Sequence, residues 1–183
     1  MLALTRHNIT NYLQLMRADK PIGFYLVIWP ALWSLWIAAE GMPDPLLIIV
    51  FIIGALLMRS AGCVINDFAD RNIDGFIERT KQRPLATGLV TPKEAIQLFI
   101  LLCVAAATLL LFTNRLTVLI AFVALLLAAL YPFTKRFTHL PQVVLGMAFS
   151  CSIPMAFAAQ TNTLPAIILP LYSAVMIWVI VYD

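Results

Sequence analysis

The stretch Leu46-Leu-Ile-Ile-Val-Phe-Ile-Ile-Gly-Ala-Leu-Leu-Met-Arg59-Ser-Ala-Gly-Cys-Val-Ile-Asn66-Asp67-Phe-Ala-Asp70-Arg71-Asn-Ile-Asp74 decides how the rest of the chain is read. Its first part, Leu46–Ile65, is almost wholly apolar. At about 1.5 Å per residue, about 20 such residues form a helix that crosses a hydrocarbon core of about 30 Å. The apolar run then passes without a break into Asn66, Asp67, Asp70 and Asp74. A membrane span therefore ends in a cluster of oxygen-bearing side chains.

The whole chain agrees with this reading. Of its 183 residues 62% are hydrophobic and 11% charged, whereas a soluble domain carries about 45–50% apolar and about 25% charged residues. So much apolar surface does not fit inside one soluble domain of this size, and the disordered, collagenous and disulfide-scaffold classes are excluded as well. The cysteines Cys63, Cys103 and Cys151 are far apart, show no metal-ligand spacing and read as small apolar packing residues. A net charge of +3 is too small to imply nucleic acid as a partner.

Length and hydropathy predict an all-α, polytopic transmembrane bundle with about six spans. They run Ile22–Ala39, Leu46–Ile65, Ala95–Thr113, Leu116–Tyr131, Val143–Ala159 and Leu164–Tyr182. No soluble domain or linker interrupts them, so residues 1–183 read as one membrane-embedded domain. Pro30, Pro132, Pro154 and Pro170 lie within or at the ends of spans and predict kinks. With the N-terminus in the cytoplasm, the inner loops hold Arg6, Arg17, Lys20, Arg71, Arg79, Lys81, Arg83, Lys93, Lys135 and Arg136, and the outer side holds Arg115 alone. That bias predicts a cytoplasmic N-terminus and puts the polar stretch Asn66–Glu94 on the same face as Lys135 and Arg136.

On a helix, Asn66, Asp70 and Asp74 recur every fourth residue, and Asp67 is three and seven residues from the other two acids. Like charges so spaced repel, increasingly so as water thins, and a cation offsets them. Oxygen-only ligands without His or Cys favour a hard ion, and Mg²⁺ takes one or two carboxylates together with substrate phosphates. Asp67, Asp70 and Asp74 are thus the candidate metal ligands, against the alternative of a solvated acidic helix end capped by Arg71. The basic run Arg79-Thr-Lys81-Gln-Arg83-Pro84 would supply the cations of a diphosphate site, although it also reads as the positive-inside signal itself. Arg59, inside the second span about two turns before Asp67, faces a polar cavity or snorkels to the inner surface. Trp29, Trp33 and Trp36 recur at helical spacing, either as packing and interface anchors or as pocket walls.

Several stretches resemble the UbiA family of membrane prenyltransferases, and within it the members that prenylate 4-hydroxybenzoate. They are Arg17-Ala-Asp19-Lys20-Pro21-Ile-Gly23, Met58–Gly75 with its Asn-Asp-x-x-Asp-x-x-x-Asp motif, Arg79 to Leu85, and Tyr131-Pro-Phe-Thr-Lys135-Arg136-Phe-Thr-His139-Leu-Pro141. The resemblance implies an Mg²⁺-dependent enzyme of ubiquinone biosynthesis in the bacterial inner membrane. It would join a polyprenyl chain from its diphosphate to the ring of 4-hydroxybenzoate through an allylic cation. It implies Asp70, Asp74, Tyr131 and Lys135 as catalytic, with Asn66, Arg71, Arg79, Lys81, Arg83, Arg136, Arg17 and Arg59 contacting substrate. The acceptor's carboxylate needs a cation, and Arg136, Arg59 and Arg17 stand equal for that role.

The resemblance also implies nine spans and a second aspartate-rich motif after the sixth. The chain stops at Tyr182-Asp183, which looks like the lead-in to that motif, so the family pattern implies a C-terminally incomplete domain and leaves an inactive fragment as an alternative. Two other classes fit less well. Asp74-Gly75-Phe-Ile-Glu78-Arg79 and Gly88 mimic part of a CDP-alcohol phosphotransferase motif, but Pro92 and Ile96 stand where its later aspartates belong. A transporter would carry charge near the bilayer midplane and an inverted repeat, whereas here most charges lie at one face and no repeat is visible.

Overall fold

A computed structural model describes residues 4–5, 8–134, 138 and 140–182, and the side chain of Phe133 is outside that description. Among the described residues the regular elements are all helices, joined by turns and loops, with no strand. A short α1 (Ile9–Leu15) precedes α2 (Ile22–Ala39), α3 (Pro45–Asp74) and α4 (Pro92–Leu109), which tightens into a 3₁₀ turn over Leu110–Phe112. Then follow α5 (Arg115–Thr134), α6 (Pro141–Ser150), α7 (Ser152–Thr161) and α8 (Ile168–Tyr182).

The helix boundaries follow from local chemistry. Helices α3, α4 and α6 open on Pro45, Pro92 and Pro141, at the position where a missing N–H costs nothing and the fixed φ suits a helix. Asp44 Oδ1 accepts the Leu46 N–H at 2.8 Å and Asn114 Oδ1 accepts the Thr117 N–H at 2.9 Å, capping α3 and α5. Each such cap contributes about 1 kcal/mol. At α4 the cap is reciprocal: Thr91 Oγ1 accepts the Glu94 N–H at 3.3 Å, and Glu94 Oε2 accepts the Thr91 N–H at 2.7 Å.

Among the described residues, five segments are long and apolar enough to cross a membrane: Ile22–Ala39, Pro45–Asp74, Pro92–Phe112, Arg115–Pro132 and Pro141–Thr161. The first four coincide with the expected spans to within a few residues, except that α3 continues as one helix through Asp74. Its 30 residues correspond to about 45 Å at 1.5 Å per residue, more than a hydrocarbon core needs. The fifth span is divided: α6 ends at Ser150 and α7 begins at Ser152. Pro154 explains the division, since it cannot donate to the Ser150 carbonyl and its ring would clash there. The sixth span differs from expectation. Leu164 precedes Pro165 and is disfavoured in the α region, so the helix starts only at Ile168 and its 15 residues are shorter than a full crossing. Helices α2 and α5 run on through Pro30 and Pro132.

The chain divides into two compact units, residues 1–24 with 56–108, and residues 25–55 with 109–183. In the first, Tyr12 and Leu15 of α1 join Ala61 and Val64 of α3, Leu85 and Val90 of the following loop, and Ala95, Leu98 and Leu102 of α4. In the second, one apolar cluster joins Ala31 and Leu35 to Leu47, Val50, Phe51 and Ala156, and another joins Ile153 and Phe157 to Ile168, Val175 and Val179. Gly146 lets α6 approach α8 closely, because a Cβ there would lie 3.0 Å from the Met176 carbonyl oxygen. Large apolar side chains such as Ile100, Leu119, Phe122 and Val181 point outward, as they do on helices whose solvent is lipid. Trp29 and Trp33 stack at 6.4 Å on an exposed face of α2, and Trp36 is exposed on the same helix.

Candidate active site

The site is built at the end of α3, within the first unit. Asp67 and Asp74, two turns apart on one side of the helix, are 2% and 4% exposed. Burying two carboxylates is costly unless cations and donors meet them, and two arginines do so. Arg83 Nη1 lies 3.0 Å from Asp67 Oδ1 and 2.8 Å from Asp74 Oδ2. Arg17 Nη2 lies 3.0 Å from the same Asp67 Oδ1. Two negative and two positive groups thus form one contiguous set.

Each arginine reaches the set through a local backbone device. After Asp74 the chain folds back in successive turns, with Phe76 N bonded to Ile73 O, Ile77 N to Asp74 O, and Arg83 N to Thr80 O. The buried Thr80 hydroxyl donates to the Asp74 carbonyl at 2.9 Å and ties that loop to the end of α3. Leu85 and Val90 dock in the apolar core just beyond, and Gly88, at φ +77, makes the turn between them. Arg83 is held between these two anchors. Arg17 follows α1, where Arg17 N bonds to Gln14 O and Ala18 N to Leu13 O, the pattern that ends a helix in a left-handed residue. That residue is usually glycine, but here Arg17 adopts φ 56, at about 1–2 kcal/mol for a residue with a Cβ. Burial works against the Arg17 charge, but the negative groups around it, Asp67 foremost, together outweigh burial and raise its pKa.

The other residues singled out from the sequence are distributed around this set. Asn66 and Asp70 are half-buried on the same two turns of α3. Arg71 turns back on its own helix, donating to the Phe68 carbonyl at 2.6 Å with its guanidinium 4.2 Å from the Phe68 ring centroid. Lys81 pairs with Glu78 at 2.7 Å on the exposed loop, where Arg79 is also exposed. Arg59 donates to Cys63 Sγ and lies against Gly23 in the first turn of α2, where any side chain at position 23 would collide with it. Tyr131 is half-buried in α5, in the second unit. Lys135 and Arg136 lie outside the described residues.

Among the described residues no three Asp, Glu, His or Cys side chains converge on one point as metal ligands would. Asp67 and Asp74 do converge on a single cationic atom, Arg83 Nη1. Two carboxylates offering only oxygen fit the Mg²⁺ pattern, in which water and phosphate complete the shell. Sequence reasoning marked Arg83 only as one of several loop cations. It did not find the network of Tyr12, Asn8, Thr91 and Glu94 that holds α1 against the start of α4. The Thr91-x-x-Glu94 spacing before an apolar run was the available signal for part of it.

Comparison with known proteins agrees with the fold. The profile of the UbiA prenyltransferase family matches residues 27–183. The chain is 62% identical over 175 residues to a 4-hydroxybenzoate octaprenyltransferase of Saccharophagus degradans, covering 96% of this chain and 58% of that protein. It is 60% identical over 172 residues to the protein of that name from Psychromonas ingrahamii, covering 94% and 60%. Among solved structures, that of a digeranylgeranylglyceryl phosphate synthase superposes with TM-score 0.79 at 22% identity, over 95% of this chain and 60% of that one. A UbiA homologue from Archaeoglobus fulgidus bound to GPP and Mg²⁺ superposes with TM-score 0.77 at 16% identity, over 94% and 60%. The chain therefore spans about three-fifths of the length of these relatives. It is a multi-pass, all-helical membrane protein, and it belongs to the UbiA prenyltransferase family.

Proposed function

We propose that the protein to which this chain belongs transfers a polyprenyl group from polyprenyl diphosphate to the ring of 4-hydroxybenzoate, a step of ubiquinone biosynthesis. The observation that carries this reading is the convergence of Asp67, Asp74, Arg17 and Arg83 at the end of a spanning helix. Such a set suits a diphosphate better than a neutral or monovalent ligand, since guanidinium groups bind phosphate oxygens in a fixed fork. Asp67, Asp70 and Asp74 would hold Mg²⁺, which supplies charge neutralisation for the leaving diphosphate. Arg17 and Arg83 exchange part of their contact with the carboxylates for contact with the departing oxygens. The C–O bond to diphosphate breaks, the new C–C bond forms at the ring carbon ortho to the hydroxyl, and the ring proton leaves last. Between the two bond changes an allylic cation must be kept from water, and the apolar helices exclude it.

Tyr131 and Lys135 are proposed for the catalytic step, and Asn66, Arg71, Arg79 and Lys81 for contacts to the diphosphate end. Arg136, Arg59 and Arg17 are the cations available for the acceptor's carboxylate. The bacterial relatives support an inner-membrane location, and the distribution of lysine and arginine supports a cytoplasmic N-terminus with the site opening to that face. The test is prenylation of 4-hydroxybenzoate by a full-length protein, meaning this chain continued to the length of its relatives. Magnesium-dependent product is expected from that protein, and none from its Asp74→Asn variant.

A further inference from the structure

We infer that Tyr12 and Glu94 are positioning residues, a clamp that sets α1 in register so that its last turn delivers Arg17 to Asp67. This rests on the reading of the Asp67–Arg17–Arg83 set as a diphosphate site. Glu94 is 6% exposed at the start of α4 and, among the described residues, accepts from neutral donors only. The Tyr12 hydroxyl donates to Glu94 Oε1 at 2.6 Å and Asn8 Nδ2 to the same oxygen at 3.3 Å. The Thr91 N–H and hydroxyl occupy Oε2, each at 2.7 Å. Around this centre the Thr5 N–H donates to the Tyr12 oxygen at 3.1 Å, and Asn8 Nδ2 also reaches the Leu89 carbonyl at 2.9 Å.

A reciprocal cap for α4 requires only Thr91 and Glu94. The second oxygen of Glu94 is spent on α1, a helix of seven residues that is too short to stand alone. The apolar docking of Leu15, fully buried, tolerates rotation and sliding, whereas a short phenol–carboxylate bond is directional. Arg17 comes five residues after Tyr12, with its backbone held in a left-handed state that its side chain makes unfavourable. Of the described non-glycine residues at positive φ, Arg17, Glu40 and Asn162, only Arg17 sends its side chain into the carboxylate set, and strain so placed points to a use. Its use here is the 3.0 Å contact with Asp67. The clamp holds the middle of α1, the left-handed turn closes its C-terminal end, and together they set the backbone from which Arg17 reaches Asp67.

The 183-residue chain in lipid nanodiscs is tested with geranyl diphosphate and Mg²⁺ as probe, alongside amide exchange of Met16, Arg17 and Ala18. Tyr12→Phe, which keeps the ring and removes the hydroxyl, is expected to speed that exchange and weaken binding about 3- to 10-fold. In an Arg17→Ala background the same change is expected to have no further effect on binding. Unchanged exchange in Tyr12→Phe overturns the clamp whatever the probe does. Faster exchange with an equal additional loss of binding in the Arg17→Ala background also overturns it, because the role is then general stability. If exchange responds as expected but the unaltered chain binds no probe, the diphosphate reading fails, while the clamp on Arg17 stands on the exchange data.

Discussion

Arg83 bonds Asp74 at 2.8 Å across nine residues of sequence, and the same nitrogen reaches Asp67. The basic loop after α3 is therefore part of the acidic site, and each charge in it depends on the others.

Removing Arg83 should leave Asp67 with Arg17 and leave the buried Asp74 with no ion pair among the described residues. Breaking a buried pair costs about 3–5 kcal/mol, and the Arg83 side chain is 20% exposed, so Arg83→Ala should cost somewhat less, about 2–3 kcal/mol. Asp74→Asn in the same chain should recover about 1 kcal/mol or more of that loss. Thermal unfolding of the four chains of this cycle in detergent measures the coupling, and additive effects would mean that the Arg83–Asp74 contact carries no energy.

Arg17→Gly and Arg17→Ala separate the backbone from the side chain. Both remove the guanidinium from Asp67, but only glycine relieves the left-handed strain. The glycine variant should be more stable than the alanine variant by about 1 kcal/mol, with the same loss of diphosphate affinity. Equal stability would show that position 17 does not keep its left-handed backbone in the membrane-inserted protein.

Much of this was legible in the sequence and some of it was not. The span ending in Asn66–Asp74 could be read because hydropathy and the fourfold spacing of the acids both call for one helix, and α3 is one helix. Pro154 marked a kink in the fifth span, and the helix there divides at Cys151; the late start of α8 was missed because hydropathy does not register what Pro165 does to the backbone before it. Arg83 looked like any loop cation, since its place is set by the Thr80–Asp74 fold-back, a matter of turn geometry. Glu94 could be read as a cap, but its partner Tyr12 is 82 residues away in sequence, and no spacing rule reaches that far.

Topology can be tested directly. In a chain freed of Cys63, Cys103 and Cys151, a cysteine at Lys81 should be labelled only from the cytoplasmic side and one at Asp44 only from the other side. Labelling of both from one side would remove the crossing by α3 on which the site is built.

Prenyl transfer by the full-length protein, with and without Mg²⁺, bears most directly on the central claim. Membranes supplied with polyprenyl diphosphate and 4-hydroxybenzoate should form the C-prenylated acid. The product should disappear on chelation, and it should be absent in Asp70→Asn and Asp74→Asn, each of which removes one negative ligand while leaving insertion intact. Near-normal turnover in both variants, or in chelator, would contradict the assignment of these carboxylates to a metal–diphosphate site.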